Sequence, residues 1–261
     1  MYNFGFEKPG SVADAAAAMA AEDAQALGGG QTLIPTLKQR LASPSTLVSL
    51  TGIADLQGVS ADGGALSIGG ATTHATVATQ ASAYPALADL ASHIGDPAVR
   101  NRGTIGGSVA NNDPAADYPA AMLALGATIK TNTREIAADN FFTGMFDTAL
   151  DEGEIITSVS FTAPAKGAYA KFPNPASRYA MCGVFVASGD AGVRVAVTGA
   201  GSDGVFRSGE MEAALGSNFS ASALEGVSVD AGDMLSDLHG DGAYRANLVS
   251  VMAKRAVAAA G

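Results

Sequence analysis

Two glycine-rich stretches carry the residue types and spacing best suited to chemistry in this chain. They are Leu27-Gly28-Gly29-Gly30-Gln31-Thr32-Leu33 and Arg102-Gly103-Thr104-Ile105-Gly106-Gly107-Ser108. Consecutive glycines adopt positive φ without strain and carry no Cβ, so their N–H groups can surround an anion and the backbone can approach a ligand closely. Two such turns in one chain predict a single elongated ligand that carries phosphate.

Neither stretch fits the common phosphate-binding motifs. The first lacks the Lys-Ser/Thr pair that follows the glycines of a P-loop, and its triple glycine does not have the spacing of the Rossmann dinucleotide fingerprint. An isolated Gly-Gly-Gly is more often an ordinary turn, because glycine is the default turn residue. The hypothesis of a ligand site therefore depends on the pair of stretches and on their neighbours.

The composition is that of a globular protein, and its charge argues against polyanionic partners. The chain has 261 residues, of which 48% are hydrophobic and 15% charged, and this length allows two or three compact units. A net charge of −10 and a pI near 4.6 argue against nucleic acid or an anionic membrane as a partner, because both require a basic surface. A diphosphate could still bind to backbone amides and helix N-termini.

Metal and nucleophile chemistry have little support in the sequence. The single cysteine, Cys182, excludes an intrachain disulfide and a multi-thiolate metal site, and we expect it to be a small buried hydrophobe in a strand. His74, His93 and His239 lack metal-ligand spacing and are interpreted as surface or locally hydrogen-bonded residues. No catalytic triad is evident, so no catalytic residue and no metal are predicted. Without a signal peptide or a membrane span, the chain is expected to be cytoplasmic.

The elements that must position the two stretches are predicted from hydrophobic spacing. Ser11 and Asp14 have the form of a capping box that begins a helix through about Ala21. The first glycine stretch lies between a predicted strand at 25–27 and a predicted helix at 32–41. Further strands are predicted at 46–50, 66–71, 128–130, 135–137, 154–161, 168–172, 182–188 and 192–199, and further helices at 85–94, 118–125, 210–215, 220–226 and 242–260.

Residues 95–117 form the longest segment predicted to be irregular. They are dense in Gly, Asn, Asp and Pro, and a loop of this length is usually functional or mobile. Asp117 ends the segment, and two compatible roles are open for its carboxylate: N-cap of the following helix, or contact with a ligand. The pattern of elements changes beyond Pro164, which we interpret as a domain boundary.

Four motifs in combination resemble one family. These motifs are Gly28-Gly29-Gly30-Gln31-Thr32-Leu33, Ile94-Gly95-Asp96-Pro97, Arg100-Asn101-Arg102-Gly103-Thr104-Ile105-Gly106-Gly107-Ser108 and Asp113-Pro114-Ala115-Ala116-Asp117. They closely resemble the FAD-binding medium subunit of molybdenum hydroxylases. This subunit is the flavoprotein of the carbon monoxide dehydrogenase and xanthine dehydrogenase group. The resemblance runs over nearly the whole chain, including the helical ending Gly240-Asp241-Gly242-Ala243-Tyr244-Arg245.

The resemblance implies an α+β fold with two parts. The first is a two-lobed, PCMH-like FAD-binding domain of the vanillyl-alcohol-oxidase type, with lobes at residues 1–55 and 56–163. The second is a C-terminal domain at residues 164–261, with a three-stranded antiparallel sheet and a helical bundle. The boundary interpreted from composition agrees with this division.

The resemblance also implies a set of FAD contacts. Both glycine stretches would hold the diphosphate, with the N–H groups of Gly29, Gly30, Gly106 and Gly107 around it, and Asp117 would bind the adenosine ribose. The full implied set is Gly28, Gly29, Gly30, Gln31, Thr32, Ile94, Thr104, Gly106, Gly107, Ser108, Asp117, Ile156, Lys171 and Tyr179. In it, Ile94, Ile156 and Tyr179 would lie at the flavin ring and Lys171 close to the cofactor. Core packing alone would explain Ile94 and Ile156, and Tyr179 could be an ordinary interface tyrosine.

The function implied by the resemblance is electron transfer within a cytoplasmic complex. A large subunit with molybdopterin would oxidise the substrate, a small subunit with two 2Fe-2S clusters would pass electrons to noncovalently bound FAD on this chain, and the acceptor would be a quinone, NAD or oxygen. The implied assembly is a heterohexamer, a dimer of heterotrimers. Two other hypotheses stay open: a free-standing FAD-dependent oxidoreductase of the same fold, and a non-redox module that binds a sugar nucleotide.

Overall fold

A small parallel sheet positions the first glycine stretch. In the computed structural model, which describes residues 1–260, this sheet has the order β1-β3-β2, with β1 at Gly5–Glu7, β2 at Ala24–Leu27 and β3 at Thr46–Ser49. Helix α1 (Val12–Met19) joins β1 to β2, and α2 (Leu33–Lys38) joins β2 to β3. Ser11 caps α1, since its Oγ accepts a hydrogen bond from the Asp14 amide at 3.1 Å, as the capping-box pattern predicts.

A five-stranded antiparallel sheet and five short helices surround the second stretch. The strand order is β4-β5-β10-β6-β7, with bounds Val59–Asp62, Ala65–Gly69, Ile156–Thr162, Thr128–Thr131 and Glu135–Ala137. Between β5 and β6 lie α3 (His74–Gln80), α4 (Pro85–Ser92), α5 (Pro97–Arg100), α6 (Ile105–Asn111) and α7 (Tyr118–Ala124). Between β7 and β10 lie α8 (Ala138–Phe141) and a hairpin of β8 (Phe142–Gly144) and β9 (Asp147–Thr148).

The C-terminal part of the chain is a second antiparallel sheet covered by helices. Its order is β11-β12-β13-β14, with bounds Lys166–Pro173, Ala180–Gly189, Gly192–Thr198 and Phe206–Arg207. Helix α9 (Gly209–Ser217) contacts β13, and α10 (Gly242–Ala260) packs on β11 and β12. The implied three-stranded sheet is therefore present, with the two-residue β14 as an addition. In the described part of the chain, no helix combines the length and the apolar character needed to cross a membrane.

Three hydrophobic clusters join these layers. The largest fills the space between the five-stranded sheet and its helices, and it also includes Tyr169 and Phe185 from the C-terminal sheet. The second lies between the C-terminal sheet and α9 and α10. The smallest supports the parallel sheet and includes Ile155 from the segment before β10. Because neighbouring parts contribute to each other's clusters, the division of the chain into three domains stays a prediction.

The largest group of differences from the predicted elements lies between β4 and α6, and β1, α8, β8, β9 and β14 were not predicted either. The segment 95–117, expected to be irregular, contains α5 and α6, and the strand β4 and the helix α3 were not predicted. Because glycine has low helix propensity, the two glycines at the start of α6 make this helix hard to predict from the sequence. Elsewhere, the helix expected at 32–41 is limited to α2, and the one expected at 220–226 is a single 3₁₀ turn at Ala221–Leu224.

Candidate functional site

The two glycine stretches lie in direct contact. A Cβ added to Gly28 would lie 2.8 Å from Thr104 Oγ1, and a Cβ added to Gly29 would overlap the carbonyl group of Arg102. Such an approach of one backbone to another is possible only where the side chain is missing. The fold therefore joins the two stretches into one wall, and the glycine at position 29 is required by that contact.

The first stretch presents a run of free backbone donors. The N–H groups of residues 28–32 donate to no other group of residues 1–260. Gly30 has φ of +72°, in the left-handed region, which bends the chain between β2 and α2. Consecutive unpaired amides on a glycine bend form a concave site for an anion. This part of the prediction, a stretch able to hold phosphate, has direct geometric support.

The second stretch is the first turn of a helix. Thr104 is the N-cap of α6, and its Oγ1 accepts a hydrogen bond from the Gly107 amide at 3.1 Å. The Gly106 amide donates to the Gly70 carbonyl at 2.9 Å, and a Cβ at position 106 would lie 2.5 Å from that oxygen. The expectation that the Gly106 amide is free for a ligand is therefore wrong, because this glycine serves the packing of α6 against the end of β5.

A cavity of about 480 Å³ runs along both stretches. Its walls include every residue of the implied FAD set except Lys171, namely Gly28, Gly29, Gly30, Gln31, Thr32, Ile94, Thr104, Gly106, Gly107, Ser108, Asp117, Ile156 and Tyr179. A larger cavity of about 600 Å³ lies between the β8–β9 hairpin and residues 201–210, and it contains none of that set. We place the candidate site in the smaller cavity because the free amides line it.

Asp117 belongs to a buried ion pair and does not cap a helix. Its side chain makes no capping hydrogen bond to α7. Its Oδ1 accepts a hydrogen bond from the Tyr169 hydroxyl at 2.6 Å, and the Nζ of Lys171 lies 2.9 Å from Oδ1 and 3.0 Å from Oδ2. Lys171 Nζ also donates to the carbonyl of His93 at 3.1 Å. Asp117 therefore occupies the N-cap position of α7, but its carboxylate makes no capping hydrogen bond, so the capping role predicted for that carboxylate is wrong.

The surroundings of Asp117 limit what it can offer a ligand. Burial raises the pKa of the Asp117 carboxyl, while the Lys171 ammonium and the Tyr169 hydroxyl oppose that shift. Burial also raises the pKa of Tyr169, so its hydroxyl keeps the proton that it donates. A carboxylate has about four acceptor positions, and the Tyr169 hydroxyl and the Lys171 ammonium occupy positions on both oxygens, which leaves Oδ2 able to accept a further hydrogen bond. Lys171 lies behind this carboxylate, outside the cavity wall.

His74 is a polar residue of the cavity that the sequence analysis missed. It begins α3, it is 4% exposed and it lines the cavity. Burial, with a smaller contribution from the charge of Arg100, lowers the pKa of His74 to about 4. The interpretation of His74 as a surface or locally bonded residue is wrong, whereas His93 bonds locally to the Asp89 carbonyl and His239 is exposed. The signal that could have found it is Thr73 as an N-cap before the apolar spacing Val77 and Ala81.

The residues expected at the flavin ring differ in exposure. Ile156 is 5% exposed and belongs to the largest hydrophobic cluster, Ile94 is half-buried against that cluster, and Tyr179 is 51% exposed. All three line the cavity, so packing and ligand contact are compatible for the two isoleucines. Cys182 is fully buried in β12, as expected of a small hydrophobe.

Comparisons with known proteins agree with one another. Residues 2–164 match the family model of the FAD binding domain in molybdopterin dehydrogenase. The chain is 34% identical to the carbon monoxide dehydrogenase medium chain of Afipia carboxidovorans and 34% identical to the nicotine 6-hydroxylase medium subunit of Paenarthrobacter nicotinovorans. Each alignment covers 98% of this chain and 96% of the relative.

Solved structures give the same result for the fold. The carbon monoxide dehydrogenase from Oligotropha carboxidovorans aligns with a TM-score of 0.88 at 31% identity, over 99% of this chain and 98% of that chain. The quinoline 2-oxidoreductase from Pseudomonas putida 86 aligns with a TM-score of 0.88 at 28% identity, over 99% of this chain and 97% of that chain.

Proposed function

The chain belongs to the family of FAD-binding medium subunits of the molybdenum hydroxylases, and from this premise we propose that it holds FAD in the cavity beside the first glycine stretch. It is the electron-transfer subunit of an oxidoreductase complex, which accepts electrons from an iron–sulphur subunit and passes them to an external acceptor. FAD, when bound, supplies the redox chemistry. The residues of this chain bind and orient it.

The observation that carries the proposal is the run of free amides at residues 28–32 on the cavity wall. FAD brings a negatively charged diphosphate to a chain whose net charge is −10. Backbone N–H groups neutralise such a ligand without a basic cluster, because they supply partial positive charge and hydrogen bonds together. The hydroxyl groups of Thr32 and Ser108 lie on the same wall and add donors.

The remaining residues of the set have distinct roles in this proposal. Asp117 accepts one ribose hydroxyl at its remaining position on Oδ2, and Lys171 and Tyr169 hold the carboxylate in place. Lys171 is thus a positioning residue and does not touch the cofactor. Ile94 and Ile156 form an apolar part of the cavity wall, which would hold the isoalloxazine ring.

The assembly follows from the same membership. The chain is a medium subunit of a complex that also has a large and a small subunit, and we propose a dimer of such heterotrimers. The two-lobed FAD-binding domain at residues 1–163 and the C-terminal domain at residues 164–261 remain part of this proposal. Molybdopterin and the 2Fe-2S clusters reside on the partner chains.

The experiment is a titration of the purified chain with FAD, followed by gel filtration. We expect one flavin per chain, and acid precipitation should release all of the yellow colour into the supernatant because the attachment is noncovalent. A chain that elutes without flavin would contradict the proposal. Purification of a tagged chain from its source should also recover a large chain and a cysteine-rich small chain. If the tagged chain is recovered alone and has full oxidoreductase activity, the result would favour the free-standing FAD-dependent oxidoreductase.

A further inference from the structure

The backbone of His74 is fixed against the second glycine stretch. Thr73 caps α3, with its Oγ1 accepting a hydrogen bond from the Thr76 amide at 3.2 Å. The His74 amide donates to the Gly103 carbonyl at 2.9 Å, and Thr73 and Thr104 form an isolated β-bridge. The position of the imidazole relative to the site is therefore set by the fold and not by a mobile loop.

The side chain of His74 is buried without a polar partner. It is 4% exposed, and neither ring nitrogen makes a hydrogen bond within residues 1–260. Nδ1 is wholly buried, and the ring lies 5.3 Å from the ring of Tyr118. Nε2 lies beside Gly103, where an added Cβ would be only 2.5 Å away. A buried polar group without a partner lowers stability. Nδ1 is enclosed by protein and Nε2 is not among the wholly buried atoms, so a ligand in the cavity can supply a partner for Nε2.

The protonation state of this imidazole makes it a hydrogen-bond donor at one nitrogen only. Burial and the neighbouring Arg100 lower the pKa of His74 to about 4, so the ring is neutral at neutral pH. A neutral imidazole has one N–H and one bare lone pair. A buried N–H without an acceptor is rarer in proteins than an unused lone pair, which assigns the lone pair to Nδ1 and the proton to Nε2.

We propose that the Nε2–H of His74 donates a hydrogen bond to FAD bound in the cavity, and that His74 is a cofactor-binding residue in addition to the thirteen residues of the implied set that line the cavity. The inference rests on the proposed function only in requiring that FAD occupies this cavity. It explains why a histidine, and not an apolar residue, lies between Tyr118 and Gly103 in a wall that also contains Ile94 and Ile156.

The test compares two substitutions at position 74. His74→Phe keeps an aromatic ring beside Tyr118 and removes the N–H, so the dissociation constant for FAD, measured by quenching of flavin fluorescence at pH 7.5, should rise about three- to tenfold. His74→Gln places an amide N–H near the position of Nε2 and should recover most of the affinity. The visible absorption spectrum of bound flavin should also differ between His74→Phe and the wild type. A purely structural role of His74 would leave that spectrum unchanged.

Tyr84→Phe is the matched control. Its hydroxyl is also buried without a partner, but Tyr84 does not line the cavity, so the FAD affinity of this variant should equal that of the wild type. If His74→Phe binds FAD as tightly as the wild type does, the inference is wrong while the proposed function stands. If the wild type itself binds no FAD, the proposed function fails first.

A measurement on the wild-type chain covers the case in which His74→Phe does not fold. In protein labelled with ¹⁵N-histidine, the Nε2–H resonance of His74 should shift when one equivalent of FAD is added. A resonance that stays in place while FAD binds would overturn the inference. The resonance of the exposed His239 serves as an internal reference.

Discussion

The carboxylate of Asp117 and the ammonium of Lys171 are each buried, with 3% and 7% of their side chains exposed. Removal of one partner from a buried ion pair leaves the other charge without compensation, which costs about 3–5 kcal/mol of folding free energy. Asp117→Ala therefore affects both FAD binding and stability. It removes the proposed ribose contact, and it leaves the buried Lys171 ammonium without its charged partner.

The double variant Asp117→Ala/Lys171→Met separates these two effects. We expect Asp117→Ala to lower the free energy of unfolding of the flavin-free chain by about 3–5 kcal/mol, and the double variant to recover most of that loss. FAD affinity should be about tenfold weaker in both variants, because a charge-assisted hydrogen bond is missing from each. Urea unfolding and FAD titration measure the two quantities. Full recovery of FAD affinity in the double variant would show that Asp117 does not contact the cofactor.

His74 makes the stability of the flavin-free chain depend on pH. The unfolded side chain has a pKa of 6.5 and the folded one about 4, so the unfolded state binds more protons between these values. The stabilisation is complete above pH 6.5 and is lost as the pH falls towards 4. Between pH 7.5 and pH 5.5 we expect a loss of roughly 1 kcal/mol, which His74→Phe should abolish. Urea unfolding measures the free energy of unfolding of the wild type and of His74→Phe as a function of pH. The same pH dependence in both proteins would contradict this prediction.

The sequence predicts some of these residue-scale features and not others. The glycine spacing identifies the cavity wall, because the backbone geometry of glycine is a local property. The hydrogen bonds of Asp117 join it to Tyr169 and Lys171, which lie 52 and 54 residues further along the chain, so they depend on how the C-terminal sheet docks. For His74 the N-cap Thr73 is a local signal, but its burial also depends on Gly103 and Tyr118, which are distant in the sequence.

Helix α6 offers a second test of the site. Gly107 is the third residue of its first turn, and an added Cβ would meet only the Thr104 hydroxyl, at 2.9 Å. An acidic residue in the first turn of a helix is favourable, and glycine there is less stable than a residue with a side chain. Gly107→Asp should therefore fold with a melting temperature close to that of the wild type, yet lose FAD because its carboxylate repels the diphosphate.

Gly107→Ala is the control, because it adds the Cβ without the charge and should keep most of the FAD affinity. Gly30→Asp would be a poorer test, since φ of +72° and the closeness of Ile34 Cγ1 strain any side chain at that position. Circular dichroism and the ratio of flavin to protein absorbance after gel filtration measure the outcome. A folded Gly107→Asp chain with full flavin occupancy would show that the diphosphate does not bind next to α6.

Elements with strong hydrophobic periodicity were predictable, and α6 was not. Helix α10 has the bounds Gly242–Ala260 that its apolar spacing indicates, and β12 and β13 form the expected hairpin. The sequence of α6 favours a turn, and the helix forms because the amides of Ile105 and Gly106 bond to the carbonyls of Thr72 and Gly70. Tertiary contacts decide the structure where local preference is weak.

The residues after Pro164 complete the hydrophobic core of the residues before it. Tyr169, Phe185 and Ala196 belong to the largest hydrophobic cluster. The Thr198 hydroxyl donates to the Ala116 carbonyl at 2.6 Å and to the Pro114 carbonyl at 3.0 Å, directly before α7. These contacts fix the segment that carries Asp117 on the cavity wall.

A fragment of residues 1–164, which contains the residues 2–164 matched by the family model, should therefore not fold alone. Without residues 165–260 it exposes the face of α7 that packs on β12 and β13, and Asp117 loses both Tyr169 and Lys171. We expect no cooperative thermal unfolding and no FAD binding by the fragment. Co-expression with residues 165–261 as a separate chain is the control and should restore both, since every contact then has its partner. Cooperative unfolding and stoichiometric FAD in the isolated fragment would instead show that the FAD-binding domain is independent, and that the shared cluster contributes little to its stability.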